Sequence, residues 1–325
     1  MNPLRAVFLV LPVLVLSFCG AGALDFPTRP ITIVVPFPAG GPGDTIARAM
    51  RADIQRSLGQ PILIENITGA AGSIGTRHVA RATPDGHTLI LGYWGTHVAN
   101  GAIYDLSYNV LEDFEPVALL PSQPFMFVAR KNIPANDLSG LIAWLKANPN
   151  KATQGIGGIG SAPHVIGLLF QEMTNTEFRF VPYRGAAPIM RDLLAGHIDM
   201  AITASGIAMP QIRAGRIKAY AVTARRRLVI GPRIPTVDEA GAPGLYFSLW
   251  QGIWAPRGTP TTIIAKINQA MVEALSDPAV RETLAGQGMH IPSREELTPE
   301  ALRTLQKSEI DKWWPIIKAA KIKKK

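Results

Sequence analysis

The sequence predicts an α/β fold in two lobes, each lobe a mainly parallel sheet flanked by helices, and three observations carry that expectation. β-Branched runs alternate with amphipathic stretches along most of the chain. The alternation stops and restarts near residue 114. At 325 residues, 47% of them hydrophobic, the chain can fill two cores of ordinary size.

The first 23 residues stand apart. Arg5 is followed by an apolar run from Ala6 to Phe18 and then by Ala21-Gly22-Ala23, the layout of a secretory signal peptide with a small-x-small cleavage site. A membrane anchor would need roughly 20 apolar residues; this run is shorter and is broken by Pro12. Phe18 before Cys19 argues against a lipoprotein. Export to the periplasm is expected. Cleavage removes the only cysteine, so neither a disulfide framework nor a cysteine-based metal cluster is expected.

The first lobe reads in order. "ITIVV" (31–35) is a strand between turn residues, and from Asp44 the row Ile46, Met50, Ile54, Leu58 marks a helix capped by Asp44 and stopped by Gly59. "PILIEN" (61–66) is a second strand, 72–82 a second helix, and "HTLILGY" (87–93) a third strand after the turn "TPDG". The second lobe begins with two strands, "FEPVALL" and "FMFVARK", then a helix near 137–147 and a strand into "GIGGIG". A helix follows Pro163, then "FRFVPY", a helix near 186–195, and the strands "HIDMAIT" and "IKAYAVT". "SLWQGIWAPRGTP" returns to the first lobe, where helices near 260–276, 278–286 and 298–319 finish the chain. The expected boundaries are residues 24–123 with 251–325 for lobe 1 and 124–250 for lobe 2.

The formal charge is +9, but its clusters, Arg225-Arg226-Arg227 and the tail Lys321–Lys325, carry no interleaved aromatics. Both read as solvated surface, and no nucleic-acid partner is expected. "GIGGIG" fits G-x-G-x-x-G but lies mid-chain in an exported protein, with no acidic strand end about 20 residues on. No cofactor is expected from it.

Its glycines matter in another way. Four strands end in small residues that open a helix: "PFPAGGPGD", "NITGAAGSIG", "GIGGIGSAPH" and "VPYRGAAP". Amides at a helix start favour an anion, and in open parallel sheets such loops gather at the carboxyl edge. Two per lobe, facing one cleft, would clamp a carboxylate or phosphate. The histidines have no metal-ligand spacing. His164 either donates to an anion or fills a helix start, and Asp199 either orients a ligand or satisfies nearby amides. The residues leave both pairs open. No H-E-x-x-H, G-x-S-x-G, S-x-x-K or P-loop lysine motif occurs, and no catalytic residue is expected.

The segments "PTRPITIVVPFPAGGPGDTIAR", "IENITGAAGSIGTRHVARATPDGHTLILG", "THVANGAIY", "DFEPVALL", "VPYRGAAPIMRDLLAGHID", "IPTVDEAGAPG" and "GIWAPRGTP" together resemble one family in sequence order. It is that of the periplasmic solute receptors of tripartite tricarboxylate transporters, the TctC or Bug proteins. The resemblance implies a periplasmic-binding-protein (Venus flytrap) fold, a small organic carboxylate in the cleft and delivery to a membrane permease by a monomeric receptor without catalysis. Carried over by position, it implies contacts from Phe37, Ala39, Gly40, Gly41 and Asp44, with Ala70, Gly72 and Ser73 opposite, and Thr96 and His97 after the third strand. From the second lobe it implies Gly160, Ser161 and His164, then Tyr183, Gly185, Ala186 and Ala187, with Asp199 beyond. Asp44, being negative, is expected to hold amides and water rather than meet the carboxylate. Two departures lie at the pocket's edge: the extra prolines Pro38 and Pro42, and Gly101 after Asn100 in place of the usual Asn-Pro pair.

Two other functions share these features. A secreted hydrolase or transferase would use Ser161 and His164, although no third group to orient the histidine is evident. A sensory module would present the carboxylate to a membrane kinase through the same fold. The mature chain is expected to begin at Leu24, leaving 32 basic and 24 acidic residues, a charge of +8. Mass spectrometry of exported protein checks this, and a lipid-bearing Cys19 would overturn it.

Overall fold

Strand β1 (Ile31–Val35) is the first element of the computed structural model, which describes residues 25–183 and 185–320. The segment read as a signal peptide, with Cys19, and the tail Lys321–Lys325 lie outside the described residues. In β1, Ile31, Ile33 and Val35 join one core and Val34 another, and all four are buried. A strand buried on both faces needs helices over both. Helix α1 (Pro42–Leu58) covers the first face with Ile46, Met50, Ile54 and Leu58. Its cap is Gly41 rather than Asp44, and it stops at Gly59, a left-handed position with φ of 72°.

β2 (Ile62–Asn66) and β3 (Thr88–Tyr93) flank β1, both parallel to it. Between them α2 (Ser73–Ala80) packs Val79 on the second face. After β3 a wide turn over Gly95–Ala99, closed by the Asn100 amide on the Gly95 carbonyl, leads into the short α3 (Asn100–Ile103).

The two strands expected next are one: β4 (Phe114–Arg130) runs unbroken for 17 residues. Its prolines Pro116 and Pro121 fall where the register against the neighbouring strand shifts, so the missing amides interrupt few ladder bonds. There follow α4 (Leu138–Ala147), capped by Asp137, then β5 (Thr153–Ile156), α5 (Ala162–Thr174), β6 (Arg179–Pro182), α6 (Ala186–Ala195) and β7 (Met200–Ala204). A helix the sequence did not announce, α7 (Ser205–Arg213), precedes β8 (Ile217–Val222). β9 (Ser248–Pro256), α8 (Thr261–Ser276), α9 (Pro278–Gly286) and α10 (Pro299–Ala319) complete the chain.

The sheet order is β2-β1-β3-β9-β4-β7-β5-β6, with β8 also on β4. β9 lies antiparallel between β3 and the first part of β4, up to Pro124. From Phe125 onward β4 pairs antiparallel with β7 and β8, and β5 and β6 continue parallel to β7. Strands β1 to β3 therefore run in the direction of β4, and β5 and β6 run against it. Their carboxyl edges point toward each other. The two-lobe α/β architecture follows from this arrangement, with parallel strands in each outer part and antiparallel strands in the middle.

Three cores fill the layers. One lies between α1, α8, α9 and the first half of the sheet; a second joins β4 to α6 and α7. The third is continuous under both halves, from Val34, Trp94 and Trp313 through Phe125 and Phe247 to Leu141 and Phe170. Within it Trp254 stacks on His97 at 3.8 Å and donates its indole N–H to Gln306. Gln306 in turn donates to the carbonyls of His97 and Val110, tying α10 to β9 and the turn after β3. Trp254→Ala should therefore cost about 3–5 kcal/mol of stability, read as an earlier urea midpoint at unchanged slope.

Candidate functional site

Loops at the two facing carboxyl edges contain most of the residues singled out by sequence. After β1, Phe37 packs edge-on against Tyr93, and its carbonyl accepts from the Asn66 side chain at 3.0 Å. Gly40 has φ of 80°, a conformation that side chains other than glycine rarely adopt, whereas Gly41 at φ −75° needs no such freedom. The Gly40 amide donates to Asp44 at 2.9 Å, and the Gly43 amide donates to the Tyr93 hydroxyl. A Cβ on Gly43 would lie 2.1 Å from that hydroxyl oxygen, so nothing larger than glycine fits. The amides expected to face a ligand at the start of α1 are thus partly spent inside the protein. Ala39 is exposed, and its amide has no acceptor among the described residues.

Asp44 is the organiser of this loop. It is buried, and it accepts from the Gly40 amide, the Arg48 guanidinium at 2.8 Å and Asn66 at 3.2 Å. The Arg48 hydrogen bond, helped by Gly40 and Asn66, holds its carboxyl below the usual carboxylate range against the opposing effect of burial. With three donors around it, Asp44 faces inward.

After β2 the backbone takes an unusual course. Gly69, Ala70, Ala71 and Gly72 all have positive φ, at 119°, 46°, 54° and 87°. For the two alanines this costs about 1–2 kcal/mol each. Ala70 and Ala71 are exposed, Gly72 lies against the rings of Phe37, and Ser73 accepts from the Asn100 side chain. Thr96 and His97 are fully buried below these loops. The Thr96 hydroxyl is engaged with both backbone groups of Tyr93 and with His97 Nδ1, and burial drives the His97 pKa down to about 3. Both side chains lie in the core directly beneath the loops.

Opposite, the loop after β5 closes on itself through the Gly160 amide, which donates to His164 Nδ1 at 3.0 Å. With Nδ1 accepting, the imidazole proton sits on Nε2. Burial pushes this ring down to about pKa 4, so it is neutral at physiological pH. Ser161 caps α5 by position but makes no capping bond, since the second helical residue is Pro163 and the His164 amide goes to the Ser161 carbonyl. Its Oγ is buried and has no partner. A hydroxyl–imidazole pair of the hydrolase kind would need His164 Nδ1 or Nε2 on that oxygen, and Nδ1 is committed elsewhere. A Cβ at Gly160 would meet Ile103 of α3 at 2.5 Å, so the two loop sets approach closely there.

After β6, Tyr183 donates to Asp192 at 2.7 Å, and its phenol is pushed up to about 12 by desolvation first and then by that carboxylate. Gly185, with φ of 102°, turns the chain into α6, where Ala186 and Ala187 are the first two residues. Asp199 does not belong with these residues. It stands at the amino end of β7, accepting from Arg130 and from the Thr153 amide and hydroxyl at the amino end of β5, the opposite sheet edge from the glycine loops. Tyr93 and Asn66 were not picked out by sequence, although each is a polar residue at a strand end, and Asn100 was noted only for the glycine after it. No group of three or more His, Cys, Asp or Glu among the described residues could hold a metal.

The described loops can be set beside known proteins. A family model described as "Tripartite tricarboxylate transporter family receptor" (TctC) matches residues 46–322. The protein BugT of Bordetella pertussis is 35% identical over 92% of this chain and 92% of its own length. The structure of MatC from Rhodopseudomonas palustris with bound malate superposes with a TM-score of 0.80 at 40% identity, covering 90% of this chain and all of that one. A second R. palustris protein, solved with adipate, gives 0.82 at 33% identity, covering 92% of this chain and 99% of that one.

Asp44 supplies a pH test. A carboxyl whose folded pKa is depressed adds stability that is present above its unfolded pKa and lost as pH falls through the folded value. Asp44→Asn should cost about 1–2 kcal/mol at neutral pH, toward the low end for a charged hydrogen bond because Arg48 is half exposed. The gap to wild type should close as pH drops below the ordinary carboxylate range, measured by urea unfolding along a pH series.

Proposed function

This chain belongs to the TctC family of tripartite tricarboxylate transporter receptors, and from that premise we propose that it captures a small organic carboxylate in the periplasm and delivers it to a membrane permease. The ligand would lie between lobe 1, residues 24–123 with 251–325, and lobe 2, residues 124–250. Malate and adipate, named with two solved relatives, are both dicarboxylates, and the same ligand class suits the groups gathered at the facing loops.

One observation carries the reading furthest: the Ser161 hydroxyl, buried at a helix start, is bonded to nothing in the protein. An unpaired buried hydroxyl is costly, and the arrangement makes sense if a ligand oxygen completes it. The loops at the facing edges offer further donors of the right kind. His164 carries its proton on the nitrogen away from Gly160, and the opening amides of α5 and α6 lie at the positive ends of their helices. From the other lobe come the Ala39, Ala70 and Ala71 amides. All of these donors are neutral, so they would hold a carboxylate by hydrogen bonds and helix dipoles.

A thermal-shift panel of malate, succinate, adipate and citrate, followed by titration, tests this. Ligand at about 100 times Kd should stabilise the protein by about 2.7 kcal/mol. Ser161→Ala should lose roughly 1.5–3 kcal/mol of binding, about a ten- to hundredfold weaker Kd. Gly40→Val should also weaken binding, through its forbidden φ. Undiminished binding by Ser161→Ala would remove that residue from the site. Turnover of a carboxylate ester or amide that vanishes in the same variant would replace the receptor with an enzyme.

A further inference from the structure

We propose that Asn100 is the positioning residue that keeps Gly69–Gly72 left-handed, and that the cleft retains its carboxylate affinity only while Asn100 does so. The inference rests on the carboxylate-receptor reading above. It concerns a side chain that sits beneath the cleft loop rather than in it.

Four consecutive positive φ angles, two of them on alanines, are not a conformation the chain adopts by itself. The run must be held by bonds to its carbonyls, and each carbonyl can be traced. Gly69 accepts from the Gly72 amide, Ala70 from the Ser73 amide and Gly72 from the Thr76 hydroxyl. These three donors are local and travel with the loop. The Ala71 carbonyl is different: its donor is Asn100 Nδ2 at 3.0 Å, 29 residues away, and the same nitrogen reaches Ser73 Oγ at 3.2 Å. Asn100 is therefore the link from this run to the rest of the fold.

Asn100 is itself well fixed. It is 4% exposed, its amide closes the wide turn onto Gly95, and its carbonyl accepts from Tyr104. The next residue has no side chain because a Cβ there would meet Trp314 of α10 at 2.9 Å, and Trp314 donates to the Val98 carbonyl. Gly101 thus lets the short helix that Asn100 opens pack against a helix from the far end of the chain. With the carbonyls of 69–72 turned inward and bonded, the amides of Ala70 and Ala71 are left without acceptors among the described residues, on exposed residues at the cleft edge. If Asn100 is lost, Ala71 can return to negative φ, which rotates those amides away from that edge.

The test uses the full mature chain, the four carboxylates named above as probes, and hydrogen exchange across residues 69–73 without ligand. Asn100→Ala should weaken the Kd of whichever probe the wild type binds by about tenfold or more, the worth of a lost hydrogen bond, and should speed exchange at 69–73. Adding Ala71→Gly, which accepts positive φ without strain, should recover much of the affinity and slow exchange at 69–73 again. Wild-type affinity or unchanged exchange in Asn100→Ala would overturn the inference and leave the receptor reading intact. A loss of affinity that tracks a fall in melting temperature and is not recovered by Ala71→Gly would also overturn it, since Asn100 would then act only on overall stability. If the wild type binds none of the probes, the receptor reading fails and takes the binding half of this inference with it.

Discussion

Strand β4 hydrogen-bonds to different neighbours along its 17 residues, and the orientation of the rest of the molecule depends on it. Its first part lies against β9, and its last part lies between β7 and β8. A buried strand must find partners for its backbone groups on each side. The change of partner at Pro124–Phe125 therefore decides where one half of the sheet gives way to the other. Because β4 is continuous, the strands on either side run in opposite senses relative to it, and the loops at their carboxyl ends meet. The facing loops are a consequence of strand direction, not of any residue within them.

Within those loops, the protein uses some polar groups on itself and leaves others over. Asp44 and Tyr93 take the Gly40 and Gly43 amides, while the Thr96 hydroxyl and His97 are sealed in the core. What remains is a small set of neutral donors: one hydroxyl, one imidazole N–H and a few backbone amides. Such donors are held by neighbours that are mostly bonded within the protein, and a site that is already ordered loses little entropy when it binds. Holding Asp44 inward through Arg48 also keeps its negative charge away from an anion.

Most elements were readable because their periodicity was clean. Ile31–Val35 and the row from Ile46 to Leu58 gave strand and helix directly, and Gly59 marked the stop. The exceptions have physical causes. The two strands expected at "FEPVALL" and "FMFVARK" are one, because β4 tolerates Pro121 where its register slips. Helix α7 carries Gly206 and Pro210 in nine residues, which conceals it. Ala70 and Ala71 look like helix formers, yet both are left-handed in a run whose Ala71 carbonyl is bonded by Asn100, 29 residues away. Of the candidate site, the glycine-bearing loops were legible, but burial was not. Nothing local distinguishes Thr96, which points into the core, from Ser161, whose hydroxyl stays unpaired. For Asp199, whose two readings stayed open, the sequence could not say which sheet edge it occupies; it accepts from the Thr153 amide at the amino end of β5.

The first half of the molecule is closed by residues from the end of the chain. β3 pairs with β9, Trp254 packs on His97, and Gln306 reaches back to carbonyls 209 and 196 positions earlier. Until β9 is available, β3 has an open edge, and until α10 follows it the core around Trp94 lacks Trp313. Contacts of such long sequence separation form slowly, since the loop must close before any bond rewards it. While it is being synthesised, the chain therefore cannot complete this half of its fold. Its topology acts as a built-in delay, and the last helix acts as the release.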